Sequence, residues 1–163
     1  MDILKFVKDL ISELGVNLNV ESTSDIYGEA VYVPHKRCIE INEELLRKSA
    51  KERNVKLDEY VAIIIFHELG HYMDEELVEI DQKINYYRGL IKKNGYKKEW
   101  AEQIKHYSLK AEQNAWSNAE KLISNKLIPL FTKIKEESLQ FHAKTVELEM
   151  EKERLMQQIK ALE

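Results

Sequence analysis

In the first part of the chain the spacing of apolar residues is first that of a helix and then that of β-strands. Apolar residues recur every three or four positions over residues 4–14, as on a helix, and Gly15 follows as a stop. Residues 22–25 have the composition of a loop, and Pro34 ends a later apolar segment. Three segments alternate apolar and polar side chains or concentrate β-branched ones, as strands do: residues 16–20, 30–33 and 38–42. The sequence therefore predicts one helix followed by a small antiparallel or mixed sheet.

The rest of the chain has mostly helical patterns. Asn42 is a suitable N-cap for a second helix, and Asp58 is a suitable N-cap for the next one. From Leu77 onward the helical pattern is almost continuous, and its clearest interruption is Asn94-Gly95. We expect helices there over three stretches: residues 86–93, 98–107 and 108–125.

The final stretch is predicted to form one long helix. Residues 131–163 hold no Gly or Pro and are dense in Glu, Lys and Gln, while Pro129 interrupts or starts the helix. Apolar residues recur along it at seven-residue intervals, at Ile134, Phe141, Leu148, Leu155 and Leu162. The second column of that heptad is mostly polar, so the coiled-coil pattern is weak. The predicted fold class is α+β, with a domain over residues 1–130 and a C-terminal amphipathic helix over residues 131–163. That helix packs on its own domain, covers a cleft as a latch, or joins two copies as a homo-oligomer.

Composition narrows the classes of function. The net charge is −4, so nothing in it points to nucleic acid or to an anionic membrane as a partner. The single cysteine, Cys38, excludes a disulfide within the chain, which fits a reducing compartment. The longest apolar run, residues 61–66, is far shorter than the roughly 20 residues that a membrane span needs. We therefore expect a cytoplasmic protein.

The most specific motif in the chain is His67-Glu68-Leu69-Gly70-His71. Two histidines at this spacing lie roughly 40° apart around a helix axis, so both can bind one Zn²⁺. Glu68 would then act as general base on a metal-activated water and pass the proton to the leaving amine. The motif continues an apolar run, so a metal ion would satisfy two buried imidazoles at once. Gly70 leaves its side of the helix bare, which would let a neighbouring segment approach closely.

A catalytic zinc site needs a third protein ligand, and three acidic residues can be compared. Asp74 lies one turn beyond His71, where a side chain suits a supporting role better than a bond to the metal. Glu79 lies in an acidic stretch that is typical of a solvated surface. Glu112 lies on an otherwise apolar stripe formed by Leu109, Trp116, Ala119 and Ile123. A carboxylate on such a stripe is costly unless it is salt-bridged or bound to a metal. The sequence therefore predicts His67, His71 and Glu112 as the metal ligands.

Around these residues the chain resembles the gluzincin metallopeptidases. The resemblance covers roughly residues 28–129 and lies in three segments: Ile39-Glu40-Ile41-Asn42, His67-Glu68-Leu69-Gly70-His71-Tyr72 and Glu112-Gln113-Asn114-Ala115. It is greatest for the ImmA/IrrE branch and extends to the minimal gluzincins, which a C-terminal segment holds latent. It implies a small zincin-like domain in which residues 38–42 form the rim strand of the cleft and pair with an extended peptide substrate. By analogy it also implies a regulatory target such as a repressor.

Two features depart from the family pattern. Trp116 stands where related enzymes commonly have Asn or Asp to support a ligand histidine, so Asn118 or Asp74 would take that role. The stretch between His71 and Glu112 is also longer than in the family and helical.

The reaction also needs a hydrogen-bond donor for the oxyanion, opposite Glu68. Tyr107 and His106 are the preferred candidates because they precede Glu112 by about one turn, ahead of His35 and Tyr72.

The sequence thus predicts a zinc-dependent endopeptidase that acts on an intracellular protein or peptide. The alternative is a zincin-fold binding or regulatory protein with latent or absent peptidase activity, which acts through its helical tail. A purely structural zinc site is a third alternative, and its fourth ligand would be Cys38 or His106.

Overall fold

The computed structural model describes residues 1–163 and contains six α-helices and three short strands. In chain order these are α1 Ile3–Glu13, β1 Asn19–Ser22, β2 Ala30–Val33, β3 Cys38–Ile41, α2 Glu43–Glu52, α3 Leu57–Tyr72, α4 Leu77–Asn94, α5 Lys98–Glu120 and α6 Ile128–Leu162. The predicted α+β class with a three-stranded sheet and a mostly helical second half is confirmed. None of the helices combines the length and the apolar content that crossing a membrane requires.

The three strands form one mixed sheet in the order β1-β3-β2. Strand β3 runs parallel to β1, with Cys38 opposite Asn19, and antiparallel to β2, with Ile41 opposite Ala30. The expectation that residues 38–42 form a rim strand is wrong, because both sides of β3 are already paired within the sheet. The open edges of the sheet belong to β1 and β2.

Several predicted boundaries shift for local reasons. The first strand begins at Asn19 because residue 16 still closes α1: the Val16 N–H donates to the Ile11 carbonyl at 3.3 Å, around Gly15 at φ +69°. Asn42 caps α2 as predicted, since its side chain accepts the Leu45 N–H. The prediction for Asp58 is wrong, because α3 begins at Leu57 after Lys56 and Asp58 lies inside its first turn.

Two of the predicted helices in the second half are one helix. Residues 98–107 and 108–125 were expected as separate elements, but α5 runs from Lys98 to Glu120 without a break, since no Gly or Pro interrupts it. The break at Gly95 is confirmed, and its φ of +95° explains why glycine ends α4. Pro129 is the second residue of α6, where its missing N–H leaves no helical hydrogen bond unmade.

The chain divides into two compact units, the first formed by residues Met1–Met73 and Ala115–Phe131. Helix α3 lies at the centre of this unit, and α1, α2 and β2 pack against it. Most of its side chains from Tyr60 to Gly70 are buried. Burial on all sides explains why this helix carries a continuous apolar run instead of a single stripe.

The second unit is formed by residues Asp74–Asn114 and Thr132–Glu163. Its core contains Ile91, Ala101, Ile104, Val146 and Met150. Helix α6 therefore contributes Val146 and Met150 to this core, and neither belongs to the predicted heptad. The predicted division of the chain at residue 130 stays a prediction.

Candidate metal centre

Helices α3 and α5 approach each other through a glycine. A Cβ on Gly70 would lie 2.0 Å from the carbonyl oxygen of Ala115, so no side chain fits there. The side-chain amide of Asn118 donates to the Gly70 carbonyl at 3.0 Å, one turn further along α5. The expectation that Gly70 lets a neighbouring segment come close is confirmed. Within the first unit, the contact sets how closely the part of α5 from Ala115 onward packs on the helix that carries the two histidines.

Trp116 packs against the first histidine at this contact. Its indole stacks on the His67 imidazole, with ring centroids 4.2 Å apart and planes inclined by 27°. Phe131 packs edge-on against the same indole at 5.5 Å, and Trp116 is only 1% exposed. Trp116 therefore holds His67 by stacking, where a hydrogen-bonding side chain was expected.

The two residues considered for that supporting role make other contacts. Asn118 bonds to the Gly70 carbonyl and accepts a hydrogen bond from Lys121 at 3.4 Å. Asp74 accepts hydrogen bonds from the side chain of Asn114 at 3.2 and 3.4 Å. Asn118 thus supports the packing of α5 on Gly70, and Asp74, which also accepts the Glu76 backbone N–H at 2.9 Å, orders the segment between α3 and α4.

His67, His71 and Glu112 come together as one group. Each offers one ligand atom, and these atoms all lie within 4.8 Å of one another. The two histidine rings follow each other on α3 with centroids 4.7 Å apart. Glu112 lies one turn before Trp116 on α5, so the helix that stacks Trp116 on His67 also presents the carboxylate.

The donor set fits a metal ion. Nitrogen and oxygen ligands of tetrahedral zinc lie about 2.0–2.2 Å from the ion, and hence roughly 3.3 Å from each other. Separations of up to 4.8 Å need only small side-chain adjustments to reach that value. The group formed by His67, His71 and Glu112 could therefore hold a metal ion.

The three candidate ligands differ in how deeply they are buried. His67 is buried at 9% exposure, whereas His71 and Glu112 are half-buried. Glu112 therefore lies beside the buried stripe of α5, and the expectation that it lies on that stripe holds only in part. The buried positions of that helix are Ala101, Ile104, Ser108, Ala111, Ala115, Trp116 and Ala119. His71 and Glu112 are thus partly accessible to solvent.

Glu68 lies beside the group and is itself buried, at 7% exposure. Its Oε2 accepts the backbone N–H of Tyr32 at 2.7 Å, and its Oε1 lies 4.0 Å from His67 Nε2. Tyr32 belongs to β2, an edge strand of the sheet. Because its N–H is bonded to Glu68, the outer edge of β2 runs alongside this carboxylate.

Tyr32 is the residue near the site that sequence reasoning missed. It precedes Glu68 by 36 positions, and its only signal was a place in a predicted strand. Its ring meets that of Tyr72 edge-on at 5.7 Å. A phenol is ordinarily protonated at neutral pH and can donate a hydrogen bond, and burial raises the pKa of the Tyr32 phenol further.

The predicted oxyanion donors lie elsewhere on α5. His106 is exposed, and Tyr107 is half-buried with the Lys83 ammonium 5.5 Å from its ring centroid. At about 100° per residue these positions face more than 100° away from Glu112 around the helix. The structure therefore does not bring them onto the face of Glu112, and their catalytic role stays a prediction.

The other candidates from the sequence lie outside the group. Cys38 is buried in the central strand at 1% exposure, and burial raises the pKa of its thiol. Glu79 is exposed on α4. The group that could hold a metal contains neither Cys38 nor His106, the two suspects for a fourth protein ligand.

Comparison with known proteins gives no relative: no protein-family model, no curated protein and no solved structure matches this chain.

Proposed function

We propose that this chain is a zinc-dependent peptidase of the gluzincin type that hydrolyses peptide bonds of an intracellular protein or peptide. The observation that carries the proposal is the group His67, His71 and Glu112, with ligand atoms within 4.8 Å of one another. Two imidazoles and a carboxylate form a ligand set of catalytic zinc, which keeps its fourth position open. Structural zinc sites close all four positions with protein ligands, and the group offers three.

Glu68 and Tyr32 would have distinct roles in the hydrolysis. A bound zinc ion would lower the pKa of a water molecule and polarise the scissile carbonyl. Glu68 would take the proton and then deliver it to the leaving amine. The Tyr32 N–H holds Oε2, which leaves Oε1, 4.0 Å from His67 Nε2, as the oxygen that faces the ligands. This bond orients the carboxylate and limits its rotation.

The strand that would bind the substrate is β2. A peptide in extended form can add to an open sheet edge through main-chain hydrogen bonds. Strand β2 has such an edge beside Glu68; the Tyr32 N–H is taken by that carboxylate, so a substrate would pair with the remaining outer backbone groups of the strand. The Tyr32 phenol is a further candidate for the oxyanion donor beside Tyr107 and His106. By resemblance to the ImmA/IrrE branch, we propose a regulatory protein as the substrate class.

The test compares zinc content with cleavage. We would load the full chain with Zn²⁺ and measure hydrolysis of an unfolded protein and of a mixed fluorogenic peptide set. Glu68→Gln keeps an oxygen that accepts the Tyr32 N–H, so we expect full zinc content and a loss of cleavage of about 100-fold or more. Glu102→Gln, an exposed change on α5, is the matched control and should match wild type.

Each outcome of this experiment is decisive. Cleavage by Glu68→Gln at the wild-type rate would show that the proposed mechanism is wrong. A wild-type chain that binds no zinc would overturn the metal centre. A wild-type chain that binds zinc and cleaves nothing would favour the alternative, a binding or regulatory protein with the same fold.

A further inference from the structure

The outward face of α6 carries an apolar seam that its own unit leaves uncovered. From Phe141 onward the heptad residues are exposed, with values of 73% for Phe141, 60% for Leu148, 45% for Leu155 and 88% for Leu162. Residues nine positions apart lie roughly 180° apart around a helix, so Leu155 is opposite the buried Val146. Helix α6 thus packs inward through Val146 and Met150 and presents a second apolar face outward.

The spacing of the outward seam identifies the kind of surface that it fits. Its residues alternate steps of four and three along α6: Phe141, Thr145, Leu148, Lys152, Leu155, Ile159 and Leu162. This alternation, with a mean of 3.5, keeps one seam facing a second helix over its whole length. Ile159 is 58% exposed and is the one apolar residue in the second heptad column of the seam, whose other members are Thr145 and Lys152. The partner of this seam is therefore another helix.

The charge balance of the seam is compatible with a second copy of the chain as its partner. Between Phe141 and Leu162 the chain has four acidic and four basic residues, so two such segments do not repel each other through net charge. The seam contains one charge, Lys152, which restricts the relative direction of the two helices. A parallel pair in register would place Lys152 against Lys152 of the other copy, and like charges at such a position are unfavourable.

An antiparallel pair avoids this conflict. Lys152 then faces Leu155 of the other copy, and Leu148 faces Ile159, so that the lysine stem packs on apolar atoms. The flanking Glu151 meets Gln158 and not another carboxylate. Ile134, the heptad residue before Phe141, is only 3% exposed, so the free seam begins at Phe141. Antiparallel overlap uses this free segment on both copies.

We propose that α6 joins two copies of this chain in an antiparallel helix pair along the seam from Phe141 to Leu162. This proposal does not depend on the metal centre or on peptidase activity. The pairing excludes water from the four exposed heptad residues, which supplies the apolar contact that drives association.

The oligomeric state tests the proposal. We expect sedimentation equilibrium of the full chain at micromolar concentration to give about twice the 19.3 kDa of one chain. The double variant Leu148→Asp/Leu155→Asp should give the mass of a single chain with an unchanged circular dichroism spectrum. Val78→Asp is the matched control, because Val78 is 65% exposed on α4, outside the seam, and this variant should stay dimeric. A monomeric wild type, or a double variant as dimeric as wild type, would overturn the proposal.

The direction of pairing has its own test. Thr145→Cys and Leu162→Cys face each other across an antiparallel pair, whereas Leu162→Cys faces itself in a parallel one. The natural Cys38 is 1% exposed and does not compete for oxidation. We expect a crosslinked dimer when the two variants are mixed and oxidised, and little from either alone. Efficient crosslinking of Leu162→Cys by itself would show a parallel pair and overturn the proposed direction.

Discussion

The indole of Trp116 covers one face of the His67 imidazole, with centroids 4.2 Å apart and planes inclined by 27°. Metal-ligating histidines are commonly oriented by a hydrogen bond to the second ring nitrogen. Here an aromatic ring that is 1% exposed restricts the imidazole by contact. The orientation of a candidate metal ligand is therefore linked to the packing of the first unit.

Replacing Trp116 should affect stability and metal binding together. We expect Trp116→Ala to lower the free energy of unfolding by about 3–5 kcal/mol. Zinc affinity should fall about 10–100-fold, as it does when a supporting group is lost. Trp116→Phe keeps a ring against His67 and should restore most of the affinity. Urea unfolding and zinc titration against a competing chelator would measure both. Trp100→Ala is the control. If folded Trp116→Ala bound zinc with the affinity of wild type, the stacking would not position His67.

Removing the carboxylate of Glu112 should reduce zinc binding far more than it reduces stability. We expect Glu112→Ala to bind zinc more weakly than wild type by at least about 100-fold, beyond the usual effect of a supporting group. Its urea midpoint without metal should change little, because Glu112 is half-buried. Zinc content after dialysis, measured by atomic emission, is the readout, with Glu102→Gln as control. Full zinc occupancy in Glu112→Ala would show that the third ligand is wrong.

Substitutions to alanine at two helical glycines, Gly70 and Gly89, should have opposite effects on stability. A methyl group on Gly70 would meet the Ala115 carbonyl at 2.0 Å, so we expect Gly70→Ala to destabilise the fold by about 1–3 kcal/mol or more. Gly89 lies inside α4 with nothing within 4 Å of its would-be Cβ. Gly89→Ala should therefore stabilise by about 0.5–1 kcal/mol. Thermal unfolding would measure both changes, and a neutral Gly70→Ala would contradict the close approach of the two helices.

Tyr60 should make stability depend on alkaline pH. Its hydroxyl donates to the Glu29 carboxylate at 2.7 and 3.0 Å, and burial together with this negative charge raises the pKa of the phenol. A pKa raised by folding favours the native state below the unfolded value of about 10, and this contribution falls as pH rises above it. Stability should therefore decline between about pH 10 and higher values.

The variant Tyr60→Phe tests this dependence. It should lose roughly 1–2 kcal/mol at neutral pH, because a hydrogen bond to a carboxylate is removed, and its alkaline decline should be smaller. Urea unfolding at several pH values gives both numbers. Tyr86→Phe, at a tyrosine that is 62% exposed, should behave as wild type. An equal alkaline slope in Tyr60→Phe and wild type would contradict the assignment.

Local features of this fold were accessible from the sequence. The cap at Asn42 and the stop at Gly95 follow from rules that involve only a few neighbouring residues. The placing of His67 and His71 on one face follows from helix geometry alone. The bare surface of Gly70 was also readable, although its contact with Ala115 was not.

The misses at the sheet edge and around the site depend on distant pairing, whereas those at the Asp58 cap and at the break before residue 108 are local. Alternation predicts that residues 38–41 form a strand, but it is the same for a central strand and an edge strand. The parallel pairing of β3 with β1 makes β3 the central strand, and no local signal in the sequence encodes this pairing. The contact of Tyr32 with Glu68 spans 36 positions in the same way. Trp116 lay on the predicted stripe, but its stacking on His67 requires the packing of two helices to be known.

The hydrogen bond from Tyr32 to Glu68 makes one backbone amide a reporter of the site. An outward N–H on an open sheet edge normally exchanges with deuterium quickly, whereas this one is held by a carboxylate at 2.7 Å. The exchange of the Tyr32 amide should be slow while Glu68 accepts its hydrogen bond. It should be faster when protonation of Glu68 or a bound peptide breaks that bond. Hydrogen–deuterium exchange of the segment that contains Tyr32 would therefore detect engagement of the site before any substrate or turnover is known.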